Sequence, residues 1–556
     1  MYLRTTQRKN ADGSVVRYLQ LAHNERPGDG KNAVAKVIHN FGRADQVDYA
    51  ALERLCHSIA RVVGLEIRSP NDEGVSARSG DVLPADVDQL RTRNYGVVLA
   101  VEALWNELGL GATLTKAAKA DGCRAPYERA LLAMVANRLD EPMSKLGVWE
   151  RWLDTVHLPS ADGLAGDQFY EAMDLLHRHH ATVEREVFFQ TANLMNLTVD
   201  LVFYDTTTAS FTIDEADDNG LRQYGRAKEA DWRVQIVIAL AVTRDGIPVR
   251  SWVLPGNTSD VTTIARVKAD LREWNLGRVM LVGDSGMNSE DNRATLAKAC
   301  GRYVLACRPS SVNEVADDVL TRAGRYKEVR ENLRVKEVIV GDGELRRRYV
   351  VCHNPVRAER ERLHREEVVR ELEAELAKNH PDRAARRKWV AHLRTSGRYG
   401  RYVRLDKKDQ LVIDRDAVRD AERLDGKWVL ITNDDSLSPE DVAEAYLASQ
   451  VIERGFRTMK SGQIEVRPMF HRLDERIEAH VKICVLALLV ARVAELRAGM
   501  PWSRIRDVLA GIQVTEFATP THRFLRSNKL SDEARDLLAK LKIEPPKQVL
   551  GITPLD

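Results

Sequence analysis

Two runs of strand-forming residues in this chain lead straight into an aspartate. Far downstream, a helical segment carries a glutamate between a tyrosine and a lysine at whole-turn spacing. The runs are LTVDLVFYDTTTASF, ending its apolar part at Asp205, and RVMLVGDSGMN, ending at Asp284. The later segment, AEAYLASQVIERGFRTMKS, holds Tyr446, Glu453 and Lys460. At about 100° per residue, one continuous helix sets Tyr446 and Lys460 each roughly 20° from Glu453, and Arg457 about 40° away. Three carboxylates from separated segments are what a pair of hard divalent cations requires, since such ions take oxygen ligands and flank the reacting phosphate of an in-line displacement. Each element also has a plainer reading. An aspartate after a strand serves as a turn or cap residue, and a charged helical stripe is the solvated face of an amphipathic helix. Asp200, Asp214, Asp217 and Asp260 compete for the same roles.

The order of elements narrows the fold. Residues 197–205 lead to TASFTI and then to VQIVIALAVTRDGIPVRSWVLPG, whose unbroken apolar stretch fits a strand buried on both faces. The segment VTTIARVKADLREW crosses as a helix to RVMLVGD, and EDNRATLAKAC crosses to RYVLACR. Three antiparallel strands followed by two reached through helices is the order of an RNase H-like α/β domain. Its first and fourth strands are neighbours, so Asp205 and Asp284 are expected to meet. After Arg308 the pattern breaks into strand-like and then highly charged helical sequence, and KWVLITN with the Glu453 helix resumes the sheet motif.

These pieces together resemble the DDE-class insertion-sequence transposases with a Tyr–Arg–Glu–Lys signature: Tyr, two residues, Arg, three, Glu, six, Lys. Tyr446, Glu453 and Lys460 fall in register, while Ser449 stands at the arginine position and Arg457 lies on the same face. FYDTT, LPGNTSD (Leu254–Asp260), GDSGMNSEDN and the run FRTMKS…VRPMFH…AH are similar as well, over roughly Asn94–Val493. The resemblance implies an RNase H-like mixed sheet interrupted by a β-rich and helical insertion. It implies Asp205, Asp284 and Glu453 as catalytic metal ligands for two Mg²⁺ ions, with Mn²⁺ able to substitute. Tyr446, Arg457 and Lys460 become candidate DNA-phosphate contacts. Trp428 reads either as a base-stacking residue or as core, and His480 either as a support behind the metal ligands or as a helix-packing histidine. Double-stranded DNA, both element ends and target, is the implied partner, with a homodimer in the synaptic complex. A repressor with a dead site and a nuclease without strand transfer remain open beside this reading.

Composition sets the remaining bounds. At 556 residues several domains are expected, and a net charge of +2 gives no global argument for nucleic acid. Residues 322–409, however, hold 25 Lys/Arg against 15 Asp/Glu, which leaves the rest of the chain net acidic by eight. A local basic excess of that size is an electrostatic footprint for phosphates, although RAERERLHREEVVRELEAELAKN alternates in sign and fits a solvated helical arm. The six cysteines are scattered without metal spacing, and neither a signal core nor a membrane-length apolar run is present. A cytoplasmic protein is expected. His177, His179 and His180 fit surface histidines better than a metal site, because adjacent positions on a helix face apart.

The expected organisation is an α+β region over 1–93 that reads the DNA ends, a helical region over 94–196, and the catalytic core over 197–308. An insertion over 309–425, the second part of the core over 426–495, and a helical C-terminal region over 496–556 complete it.

Overall fold

The computed structural model describes residues 2–9, 15–25, 34–43, 47 and 87–555, apart from 198, 213–214, 227–231, 277–278, 299–300, 309–314, 379–381 and 461. It divides into two units, residues 1–86 and 87–556. In the first unit β1 (Tyr2–Lys9), β2 (Val15–Glu25) and β3 (Val34–Arg43) form an antiparallel sheet in the order β1–β2–β3. The helix that DYAALERLCHSIARVVG (residues 48–64) suggests lies outside the described residues.

The second unit opens with β4 (Asp88–Asn94) and four helices: α1 (Gly96–Glu107), α2 (Leu110–Ala120), α3 (Tyr127–Leu139) and α4 (Gly166–Leu194). Their apolar residues recur at helical spacing. In α4 Phe169, Ala172, Met173, Leu176, Val183 and Val187 make one buried stripe.

The core sheet follows as β5 (Leu201–Ser210), β6 (Gln223–Arg226), β7 (Trp232–Thr243) and β8 (Pro248–Pro255). Helix α5 (Asp260–Glu273) then leads to β9 (Met280–Gly283), and α6 (Glu290–Ala297) leads to β10 (Arg302–Cys307). The spatial order is β8–β7–β5–β9–β10, with β5, β7 and β8 antiparallel and β5, β9 and β10 parallel. This is the RNase H-like arrangement expected from the order of elements. Strand β7 explains its own composition. Ile236, Ile238, Leu240 and Val242 pack into the core on one face, and Val237, Ala239 and Ala241 pack into the core on the other.

The sequence between β10 and the glutamate helix does two things. β11 (Lys327–Arg330), β12 (Leu333–Val340) and β13 (Arg347–His353) extend the core sheet itself rather than forming a sheet of their own. Helices α7 (Pro355–Leu376) and α8 (Arg383–Thr395), the hairpin β14 (Val403–Leu405) and β15 (Leu411–Ile413), and α9 (Arg415–Leu424) share a separate small core of Val368, Leu372, Leu393, Tyr402, Leu411 and Val418. The chain returns through β16 (Lys427–Thr432), which lies between β10 and β13 and is antiparallel to both. Along α7, Arg357–Glu361, Arg362–Glu359 and Arg362–Glu366 pair at one-turn spacing, the self-compensating solvated arm that its alternating charge suggested.

The remaining helices are α10 (Pro439–Ala448), α11 (Gln450–Lys460), α12 (Asp474–Ala498) and α13 (Trp502–Leu509). The chain ends with β17 (Gln513–Ala518), β18 (His522–Ser527), α14 (Asp532–Leu541) and β19 (Val549–Pro554). The end of the chain is therefore not purely helical, as the sequence suggested. Three of its strands pair with β4 in the order β19–β18–β17–β4. These short strands carry polar side chains between apolar ones and lack a long apolar run that would mark them.

Helix α12 is buried on nearly every side and packs on α3, α4 and β8. Its Lys482 ammonium, only 2% exposed, meets Glu184 of α4 at 3.1 Å and the Ser251 carbonyl of β8 at 2.8 Å, which satisfies a charge that would otherwise be costly. At the junction where β6 and β8 both meet β7, Gly256 of LPGNTSD presses its Cα against the Gln235 carbonyl, and a Cβ there would overlap that oxygen. Gly256→Ala is expected to destabilise the protein by about 1–3 kcal/mol through overpacking. Thermal or urea denaturation reads this as a lower midpoint, and an unchanged midpoint contradicts the close approach.

Candidate active site

Strand β5 sorts its residues by alternation. Leu201, Phe203 and Ala209 share one core with Ile452, Phe456 and Met459 of α11, while Val202 and Tyr204 share the other with Ile264 and Leu271 of α5. Asp205 belongs to the first set by period two and so lies on the face that α11 covers. It sits in mid-strand, not at the strand end as expected, because β5 continues to Ser210. The neighbouring β9 stops at Gly283, and above that height β5 has no partner on that side from β9.

Asp284 follows that stop. In the parallel pairing, Leu201 aligns with Met280, Val202 with Leu281 and Phe203 with Val282. Two residues further, in step, come Asp205 and Asp284, on strands about 4.8 Å apart. Asp284 also caps the short turn Ser285–Met287 through its bond from the Ser285 amide at 2.6 Å, so the turn reading and the site reading hold together. Its side chain remains exposed.

Glu453 stands on α11, whose Ile452, Phe456 and Met459 are buried against the sheet while Glu453 itself is exposed. The helix is not continuous with the one bearing Tyr446, as the spacing argument assumed. It is interrupted at Ser449, where α10 ends, and α11 begins at Gln450. Tyr446 is nevertheless brought to the acids. Its half-buried phenol is held well above the ordinary tyrosine range, first by burial and then by the negative charges of Asp284, Glu453 and Asp205. A single hydroxyl thus feels all three carboxylates, which come from β5, β9 and α11.

The competing acids have other engagements. Asp200 pairs with Arg244 at 2.8 Å, and Asp217 pairs with Arg222. Asp260 accepts from the Thr206 hydroxyl on the opposite face of β5. Asp214 lies outside the described residues.

The donor set fits hard divalent cations: three carboxylates, with no sulfur or imidazole among them. Among the described residues, the trio of possible ligands whose atoms all lie within 4.8 Å of one another is His177, His180 and Glu478. His177 Nδ1 lies 2.8 Å from Glu478 of α12, and His179, on another face, meets Asp121 instead.

The remaining candidates divide. Arg457 is exposed and Lys460 half-buried, both in the last turns of the Glu453 helix. Trp428 of β16 is half-buried on the same sheet face as Leu430 and Cys352, and among the described residues its indole N–H finds no hydrogen-bond partner. His480 belongs elsewhere. It is buried in α12, with its hydrogen bonds going to Lys145 Nζ at 3.2 Å and the Val466 carbonyl at 3.1 Å, rather than to the acids or their partners Thr206 and Ser285.

Residues 202–490 match the family described as the transposase DDE domain, and residues 3–68 match the IS1634 family transposase N-terminal domain. The chain belongs to the insertion-sequence DDE transposases. Among solved structures, it is similar to piggyBac transposase in a synaptic complex with hairpin DNA. That match has 10% identity, covers 75% of this chain and 78% of that one, and has a TM-score of 0.32. Mos1 transposase in a paired-end complex with its left transposon end matches at 15% identity over 43% of this chain and 68% of that one, TM-score 0.13. No curated protein matches the chain.

The Tyr446 hydroxyl makes no hydrogen bond within the described protein. Tyr446→Phe is therefore expected to leave the melting temperature unchanged, within the ±0.5 kcal/mol of a neutral substitution. A clear fall in melting temperature would mean that the hydroxyl has a structural partner instead of an open one.

Proposed function

We propose that this transposase nicks DNA at the ends of its element and joins the freed 3′ ends to target DNA, with Asp205, Asp284 and Glu453 holding two Mg²⁺ ions, which Mn²⁺ can replace. The observation that carries this reading is the parallel register of β5 against β9, which brings Asp205 and Asp284 into step, with α11 and its Glu453 packed over the same face. Asp205, Asp284 and Glu453 would hold the ions, Asp205 from the most rigid of the three settings, a mid-strand backbone bonded to β7 on one side and flanked by β9 below. When bound, the ions activate first water and then the 3′-hydroxyl, and stabilise charge on the departing oxygen.

The other residues position the DNA. Tyr446, Lys460 and Arg457 hold phosphates near the cut, the first with an open hydroxyl and the others as cations. Trp428, on the same sheet face, stacks on a base, a contact typically worth about 1–3 kcal/mol. The β1–β3 sheet reads the terminal inverted repeats, for which Arg4, Arg8 and Arg17 provide cationic side chains. Two copies act together on paired ends. Among the described residues no single helix is long and apolar enough to cross a membrane, and we place the protein's work in the bacterial cytoplasm, on the nucleoid.

Glu453→Gln keeps the shape of the side chain and removes its charge. With a duplex carrying the inverted repeats that flank the reading frame, and Mg²⁺, the wild type is expected to give 3′-end nicks and joined products. The variant is expected to bind the duplex with unchanged affinity and to lose at least 10³-fold in nicking rate, as when one essential transition-state contact is removed. Binding without nicks by the wild type would favour a repressor, nicks without joining a nuclease, and loss of binding by the variant a structural role for Glu453.

A further inference from the structure

A second group of cations lines a cavity elsewhere in the fold, and of these Arg476 is paired with Asp174 at 3.1 Å. The segment after α11 folds back with α3 and α12 around a cavity of about 390 Å³. Arg138, Lys145, Arg467, Arg472, Arg476 and His480 line it, and Glu465 is the one carboxylate among its lining residues. Two of the cations are deeply buried. Arg138 is 4% exposed and Lys145 3%.

Neither of these two finds an anion. The Arg138 guanidinium donates to the carbonyl oxygens of Ile464, Glu465 and Met143, and its Nε has no partner. Lys145 donates to His480 Nδ1. The direction of that bond is fixed, because His480 Nε2 faces the Val466 carbonyl and so carries the hydrogen, leaving Nδ1 with the lone pair. Lys145 keeps two further N–H groups for the cavity. Burial, with Arg138 close by, pushes its ammonium down to about 7. A protein that needed only to fill this space would use apolar residues, since buried ionic groups rarely improve stability over apolar ones of the same shape. Buried cations aimed at a cavity instead prepare for an anion.

Resting on the transposase reading above, we infer that this cavity seats a backbone phosphate of the bound DNA, several nucleotides from the bond being cut. Guanidinium forks match phosphate oxygens, and Lys145 adds a point charge behind them. The cavity is also tied to the catalytic strand. Arg467 donates to the Ser210 hydroxyl at 3.3 Å, and Ser210 closes β5 five residues beyond Asp205. Five residues of strand span ~17 Å, which sets Ser210 that far along β5 from Asp205 and, the count being odd, on the other face of the sheet.

The test uses the full chain in three forms: wild type, Lys145→Met and Arg472→Gln. Lys145→Met removes a buried cation and keeps the volume, and Arg472 is exposed, so its variant folds regardless. Inorganic phosphate is the first probe and should raise the melting temperature of the wild type but not of Lys145→Met. An inverted-repeat duplex, titrated across salt concentrations, is the second. Each variant should bind about tenfold more weakly, with the slope of log affinity against log salt reduced by about one.

Wild-type affinity and slope in both variants overturn the inference. If phosphate still stabilises the wild type in that case, the cavity is a free-phosphate site. If Lys145→Met melts early, Arg472→Gln decides, and a wild-type slope there overturns the inference as well. Failure of the catalytic reading looks different: slopes that change as stated, with no nicking by the wild type.

Discussion

The parallel pairing of β5 with β9 is the constraint on which the site depends. It fixes a register in which Phe203 and Val282 are neighbours, and it thereby places two aspartates 79 residues apart in sequence side by side. No side-chain contact could do this as reliably, because a one-residue slip would turn Asp205 to the opposite face, toward α5. The register is held from both sides of the sheet. Phe203 and Val282 are buried in one core, and Val202 and Leu281 in the other.

The third acid depends on a different kind of force. Helix α11 is held to the sheet by Ile452, Phe456 and Met459, and Glu453 stands exposed on the same helix. The negative charge of these acids also acts on the half-buried Tyr446 phenol, raising it further after burial has done so. The cavity under α12 gathers charge of the opposite sign, with Arg138 and Lys145 buried in it and Glu465 among its lining residues.

Much of this was legible because it follows from local pattern. The doubly buried β7 showed in its unbroken apolar run, the helices in their periodicity, and the adjacency of Asp205 and Asp284 in the order of strands and crossovers. What escaped depended on distant partners. Nothing local in residues 327–353 says that these strands extend the core sheet, since their partner β16 lies some 75 residues further on. The break at Ser449 has no glycine or proline to announce it. Arg138 and Lys145 belong to no motif, and they meet Arg467 and His480 only because α3 packs against α12. The pairing of His177 and His180 with Glu478 was hidden for a related reason. The side chain that joins them, Glu478, is about 300 residues away.

The central claim is that Asp205, Asp284 and Glu453 share bound metal, and iron-directed cleavage tests it most directly. With Fe²⁺ in place of Mg²⁺, ascorbate and peroxide generate hydroxyl radicals at the ion, which cut the backbone only nearby. The account predicts cuts close to residues 205, 284 and 453 together, all lost on adding excess Mg²⁺ and all lost in Asp205→Asn. Cuts at only one of these positions, or confined to the neighbourhood of His177 and Glu478, would contradict it.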